Sequence, residues 1–224
     1  MNTIKVKAIF QAILSEGKMA GLNVVYVVLD GEDNNYTFAG SLVKDDKPME
    51  LTPEEIVQII DKYKTNKVAI VGGEPIKNNH VYDLILTLRD KYVIIETKAM
   101  HLPDRTMLEK VNHWIISPEL VSSEKHIVER IDYDILTEFL NKTNDPLVFK
   151  ILNRKDMKEV LFLQDQLKIP SHRITLMARD KSQQGIIAKN QRLMEWCKEY
   201  GFNFSPRLHV MVYKTPLIFR HNNT

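Results

Sequence analysis

The chain has 224 residues, 44% hydrophobic and 27% charged, and its 31 basic and 29 acidic residues give a formal net charge of +2. These are the values of a globular protein with enough sequence for a full core. They supply no bulk electrostatic reason to expect nucleic acid or an anionic membrane as partner. No apolar stretch approaches the ~20 residues that span a bilayer, and the first seventeen residues lack a long apolar core, so neither a membrane helix nor a signal peptide is expected. A cytoplasmic location and one domain over 1–224, its tail fraying from about 214, are the default expectations.

Taken in order, residues 4–10 (IKVKAIF) alternate weakly and predict a short strand, followed by a polar turn at Ser15-Glu16-Gly17. Residues 24–29 are a β-branched run ended by Asp30-Gly31, the pattern of a buried strand delivering a loop to one edge of a sheet. Leu51-Thr52-Pro53-Glu54-Glu55 predicts a helix start, with Thr52 at the N-cap, Pro53 first in the helix and Glu55 completing a capping box. The helix carries Ile56, Ile59, Ile60 and Tyr63 on one face. Strands then alternate with helices: strands at 67–71, 92–95, 111–116, 147–152, 173–177 and 208–213, helices at 81–89, 131–140, 156–167 and 185–200. That alternation predicts parallel pairing with right-handed crossovers, as an incomplete (β/α) barrel or an open doubly wound sheet. In both, ligand chemistry gathers at the C-terminal ends of the strands.

Several strand ends carry candidate chemistry. Val71-Gly72-Gly73-Glu74-Pro75 lets backbone approach a ligand, or serves only as a tight turn needing φ > 0. Glu96 places a carboxylate at the next strand end, as a site residue or a plain salt-bridge partner, and Ser117-Pro118 ends the following strand. Lys150 lies inside the apolar run LVFKIL, so it points outward or into a barrel; inside, it must be paired, because an unpaired buried ammonium is costly. In Ser205-Pro206-Arg207-Leu208-His209-Val210 the residues 207 and 209 share one face of the predicted last strand. His209 reads there as a site residue or as a hydrogen-bonded core histidine. The one cysteine, Cys197, cannot form an internal disulfide or supply three cluster ligands. The histidines (80, 101, 113, 126, 172, 209 and 221) show no zinc-site spacing, so no metal site is expected.

Together these motifs resemble 7-carboxy-7-deazaguanine synthase, a radical S-adenosylmethionine (SAM) enzyme of the queuosine pathway. Glu16, the loop after Val28-Leu29, GGEP, IET, SP, the strand lysine and SPRLHV stand in that family's order, over nearly the whole chain. The resemblance implies an incomplete barrel resembling that of triosephosphate isomerase, usually as a homodimer. It implies Gly72, Gly73, Glu74, Glu96 and Ser117 at the SAM pocket, and Glu16, Lys150, Arg207 and His209 near the pterin substrate. The family's three cluster cysteines fall on Glu32, Tyr36 and Ala39. Its Gln-Gly-Glu-Gly reads Leu14-Ser15-Glu16-Gly17 and its Phe-Val-Arg-Leu reads Tyr26-Val27-Val28-Leu29. Its Cys-Asp-Thr reads Ala39-Gly40-Ser41, and its Thr-Asn-Gly reads Thr97-Lys98-Ala99.

These departures remove the soft thiolates that hold an iron–sulfur cluster, so no cluster is expected and SAM or a related nucleotide is expected to bind weakly. The expectation is a catalytically silent homologue that binds or regulates, its partner an unidentified protein or a nucleotide-like ligand. The alternatives are a non-radical enzyme using Glu16, Lys150 and His209 as acid–base groups, or a protein-interaction role with a vestigial pocket. Tyr36 and Phe38 either fill space that a cluster would take or face outward as interface anchors.

Overall fold

The computed structural model describes residues 2–31, 47–180 and 182–212. Its centre is one nine-stranded sheet: β1 (Ile4–Ile13), β2 (Asn23–Leu29), β3 (Met49–Leu51), β4 (Lys67–Val71), β5 (Tyr92–Thr97), β6 (His113–Ile116), β7 (Leu147–Ile151), β8 (Ile174–Ala178) and β9 (Asn203–Ser205). The order is β3-β1-β2-β4-β5-β6-β7-β8-β9, so the sheet does not close. β1 runs antiparallel to β2 and β3, and every pairing from β2 to β9 is parallel. The crossovers carry α1 (Pro53–Ile60), α2 (Asn79–Thr87), α3 (Arg105–Lys110), α4 (Tyr133–Lys142), α5 (Arg154–Leu167) and α6 (Gln183–Tyr200). A short α7 (Leu208–Val212) follows β9. The Thr52 capping box opens α1 as predicted: the Glu55 amide donates to Thr52 Oγ1 and the Thr52 amide to Glu55 Oε2. Among the described residues no helix is long and apolar enough to cross a membrane.

Strand alternation sorts the core into two clusters. Val25, Val27, Leu29, Val68, Ile70, Phe149 and Leu176 face the helices, with Ile56, Leu84, Leu136, Val160 and Leu193 packed on them. The other face holds Phe10, Val24, Tyr26, Val28, Ala69, Val71, Ile94, Ile115, Val148 and Met177. Among the described residues no helix contributes a buried residue to that second cluster, yet Val24, Tyr26, Val148 and Met177 are at most 3% exposed. A flat sheet would leave this face in water, so the strands must curl around their own side chains, the packing of a barrel interior.

The structure corrects the sequence reading at several elements. β1 is ten residues long and antiparallel; its alternation reads weakly because Ala8, Ile9 and Phe10 are all buried, one face against each cluster. β6 begins at His113, because Val111 closes α3, a helix the pattern did not reveal. The strand predicted over 208–213 is helical where it is described: β9 ends at Ser205, and α7 covers Leu208–Val212. Pro206 offers no amide to the ladder, and the amides of Val210 and Met211 turn back to the Arg207 carbonyl. Arg207 and His209 therefore do not share a strand face. Glu32, Tyr36, Phe38 and Ala39 lie outside the described residues.

Candidate functional site

Glu96 and Lys150 are each next to last in their strands, β5 and β7, and their neighbours Ile95, Phe149 and Ile151 point into the helix-side core. Alternation therefore sends both side chains to the inner face. There Lys150 Nζ lies 2.8 Å from Glu96 Oε1 and 3.7 Å from Glu16 Oε2. Glu16 arrives on the loop joining β1 to β2, which is closed by amides of Leu14 and Gly21 bonded to the carbonyls of Leu22 and Leu14. Gly17, at φ +77°, rests above Ile115 and donates its amide to Ser205 Oγ at 2.8 Å. Arg207 Nε donates to Glu16 Oε1 at 2.9 Å. Ser15 is held twice from the same segment: its carbonyl accepts from the Leu208 amide at 3.1 Å and its hydroxyl meets His209 Nδ1 at 2.7 Å. Two carboxylates and two cations, from four separate parts of the chain, thus meet beside a wall of Tyr26, Ile115 and Met177.

The electrostatics follow from that arrangement. Burial alone would push the Glu16 carboxyl up, but Arg207, Lys150 and His209 outweigh it and hold the pKa at about 2. For Lys150 burial disfavours the ammonium, and the carboxylates of Glu96 and Glu16 reverse the balance and raise its pKa. Tyr26 is pushed well above the ordinary phenol value by burial and by the fields of Glu16 and Glu96. At neutral pH Glu16 and Lys150 are therefore both charged. Lys150 is its most accessible member, with 35% of its side chain exposed against 9% for Glu16.

A second feature lies at the C-terminal ends of β2, β4, β5 and β6: a cleft of about 410 Å³ lined by Asp30, Gly73, Glu74, Lys98, Glu119 and Arg130, among others. The GGEP turn builds one wall. A Cβ on Gly72, at φ +93°, would stand 2.6 Å from the Leu29 carbonyl oxygen, and one on Gly31 would stand 2.6 Å from the Gly73 Cα. The glycines therefore let the turn after β4 nest against the end of β2. Glu74 ties the same turn to β5, accepting from Thr97 Oγ1 at 2.7 Å and from the Lys98 amide at 2.8 Å. Burial raises its pKa, and those two donors only partly offset the effect.

The sequence-predicted residues thus fall into two groups. Glu16, Glu96, Lys150 and Arg207 meet on the inner face, with His209 joined through Ser15. Gly73 and Glu74 line the cleft, with Gly72 packed behind them. Glu96, which the family resemblance assigned to the SAM pocket, pairs with Lys150, while its neighbour Thr97 bonds Glu74. Ser117 is buried after β6, its amide bonded to the Thr97 carbonyl. Sequence reasoning missed Ser15, Ser205, Tyr26, Glu119 and Arg130, and no local pattern distinguishes them. A cysteine-ligated iron–sulfur cluster, which the family resemblance implies, needs three thiolates. The chain has one cysteine. Cys197 is buried in the last turn of α6 with its Sγ on the carbonyl of Asn203, where β9 begins, and burial pushes its pKa up to about 11. The residues present do not fit a cysteine-ligated cluster.

An open, mostly parallel sheet curled around its own inner side chains, with helices outside, is an incomplete (β/α) barrel. QueE from Escherichia coli has this fold, superposing with a TM-score of 0.67 at 20% identity over 92% of this chain and 95% of that one. In sequence the chain is similar to 7-carboxy-7-deazaguanine synthase from Hyperthermus butylicus, 26% identical over 95% of this chain and 94% of the relative. It is likewise similar to the synthase of that name from Halobacterium salinarum, 22% identical over 94% and 90%. No family model matches the chain.

Proposed function

We propose that the protein is a ligand-binding relative of 7-carboxy-7-deazaguanine synthase that carries out no radical chemistry. The observation that carries this reading is the Glu16–Lys150–Glu96–Arg207 cluster on the inner face of a chain whose one thiol is buried elsewhere. Fixed, paired charges beside an apolar and aromatic wall suit recognition of a flat, polar heterocycle, the class to which a deazapurine belongs. The same shifts disfavour Glu16 as a general base and Lys150 as a nucleophile. A carboxyl held at about pKa 2 is a poor base near neutrality, and an amine whose pKa is raised stays protonated and is no nucleophile. In this reading the protein works in the cytoplasm as a binding or regulatory component.

The test is calorimetric titration with 7-deazaguanine and pterin compounds, using wild-type protein, Lys150→Met and Arg207→Leu, followed by chromatography of the recovered ligand. Binding that weakens roughly tenfold or more in both variants, with ligand recovered unchanged, supports the reading. Conversion of the ligand would establish an enzyme instead. Absence of binding at millimolar concentration would leave the inner face without a ligand role.

A further inference from the structure

The loops that enter β4, β5 and β6 lie side by side at the N-terminal edge of the sheet, opposite the cleft. Backbone bonds stitch them together: the Tyr92 amide donates to the Asn66 carbonyl at 2.8 Å and the Asn112 amide to the Val93 carbonyl at 2.9 Å. Lys91 is paired with Asp61 across the first two loops, and Lys67 and Tyr92 are register partners that open β4 and β5. Neighbouring strands lie about 4.8 Å apart, so the three entries form one continuous rim roughly 10 Å long.

The rim is strongly cationic. Residues 61–67, 88–92 and 110–112 hold six cations, Lys62, Lys64, Lys67, Arg89, Lys91 and Lys110, against two carboxylates, Asp61 and Asp90. The whole chain carries a formal charge of only +2, so the positive charge is concentrated at this edge and the remainder is net acidic. Lys62, Lys64, Arg89 and Lys110 are exposed and Lys67 is half-buried. Among the described residues no carboxylate stands within ion-pair distance of these five. The nearby acids are engaged elsewhere: Glu109 by Arg105 at 2.8 Å, and Asp145 by His113 Nδ1 at 2.6 Å and the Trp114 amide at 2.8 Å. The helix dipole accounts for Lys110 in the last turn of α3, but the last turns of α1 and α2 hold no basic residue.

The centre of the rim also offers an aromatic ring and two amides. Tyr92 packs against the inner cluster and stays partly exposed beside Lys67. Asn66 and Asn112, on the loops to either side of it, are exposed. Asn112 Oδ1 is fixed by the Val93 amide at 2.7 Å, which leaves its amino group as a donor. We propose that this rim binds single-stranded nucleic acid, its cations following the phosphates while Tyr92 stacks on a base and the two asparagines meet base edges. Spaced cations around an exposed aromatic ring are what such a strand requires. An acidic protein segment would use the cations and leave Tyr92 and the amides idle. The rim lies at the opposite strand ends from Glu96 and Lys150 and stands whether or not the inner face binds a heterocycle.

The experiment is fluorescence anisotropy with labelled single strands of about 15 nucleotides, an RNA and a DNA of one mixed sequence, at roughly 50 and 200 mM potassium chloride. It compares wild-type protein with Lys64→Glu/Arg89→Glu, with Tyr92→Leu, and with Lys155→Glu/Lys158→Glu, which makes the same charge change on α5. The four exchanged charges are exposed, so the fold should survive, and thermal melting checks each variant first. Wild-type affinity should fall roughly tenfold or more between the two salt concentrations. Lys64→Glu/Arg89→Glu should weaken binding about tenfold or more, and Lys155→Glu/Lys158→Glu should stay within about threefold of wild type. Tyr92→Leu should weaken it about fivefold or more and leave the salt dependence unchanged. Tighter binding of one strand identifies whether the rim serves RNA or DNA. The proposal is overturned if neither strand binds at about 100 μM protein in the lower salt, or if the two charge variants lose affinity equally. It is also overturned if Tyr92→Leu binds as wild type does, which would point to an acidic protein segment as the partner.

Discussion

Replacing Glu16 by Gln keeps the shape of the side chain and removes its charge from between Arg207 and Lys150. The carboxyl is 9% exposed and its pKa falls from 4.5 to about 2 on folding. A depression of that size corresponds to about 3 kcal/mol of stability at neutral pH, at ~1.4 kcal/mol per unit. Because the folded value lies below the unfolded one, this stabilisation is complete above the unfolded pKa and is lost as pH falls through about 2. By pH 3 roughly 2 kcal/mol of it should be gone. Urea unfolding of wild type and Glu16→Gln across this range should therefore show a difference of about 3 kcal/mol at pH 7 that narrows steadily below pH 4.5. A difference that stays constant down to pH 3 would refute the electrostatic account and leave only lost packing. No difference at pH 7 would mean that the four-group cluster contributes nothing to holding the β1–β2 loop.

Four further outcomes follow from the same geometry. Gly72→Ala should cost about 1–3 kcal/mol in a thermal or urea melt, because its Cβ meets the Leu29 carbonyl oxygen in a left-handed conformation. Asp156→Ala leaves three backbone amides without their carboxylate and should cost about 2–4 kcal/mol, with faster amide exchange at Ser122 by hydrogen-exchange mass spectrometry. Purified protein reconstituted anaerobically with iron and sulfide should stay colourless; four irons per chain would sink the non-radical reading. SAM and S-adenosylhomocysteine should bind weakly by calorimetry, since Glu74 already serves Thr97 and the Lys98 amide and the proposed reading leaves the methionine end without a cluster to anchor it. Micromolar binding of either would show the cleft to be a working nucleotide site.

Much of the fold was legible because parallel strands buried on both faces write themselves as continuous apolar runs, as at residues 24–29 and 67–71, and because the Thr52–Glu55 cap is local. The strand position of Lys150 was equally readable, with the condition that a place inside the barrel would require a partner. Where local signals ran short, the reading failed. The segment after Pro206 looks β-branched, but Pro206 ends the ladder and bonds to Ser15 and Arg207 turn the chain into α7. The identity of each partner was a tertiary matter. Glu96 lies 54 residues from Lys150, Glu16 lies 191 from Arg207, and Ser15 lies 194 from His209. Arg130, in a loop with no periodicity, carries no mark of the carbonyls at 119 and 125 to which it donates. The sequence by itself determined which residues must be buried and which charges must find an opposite, since desolvation acts on each residue alone. Only the curled sheet decided which charges meet, because pairing depends on distances in space that sequence separation does not encode.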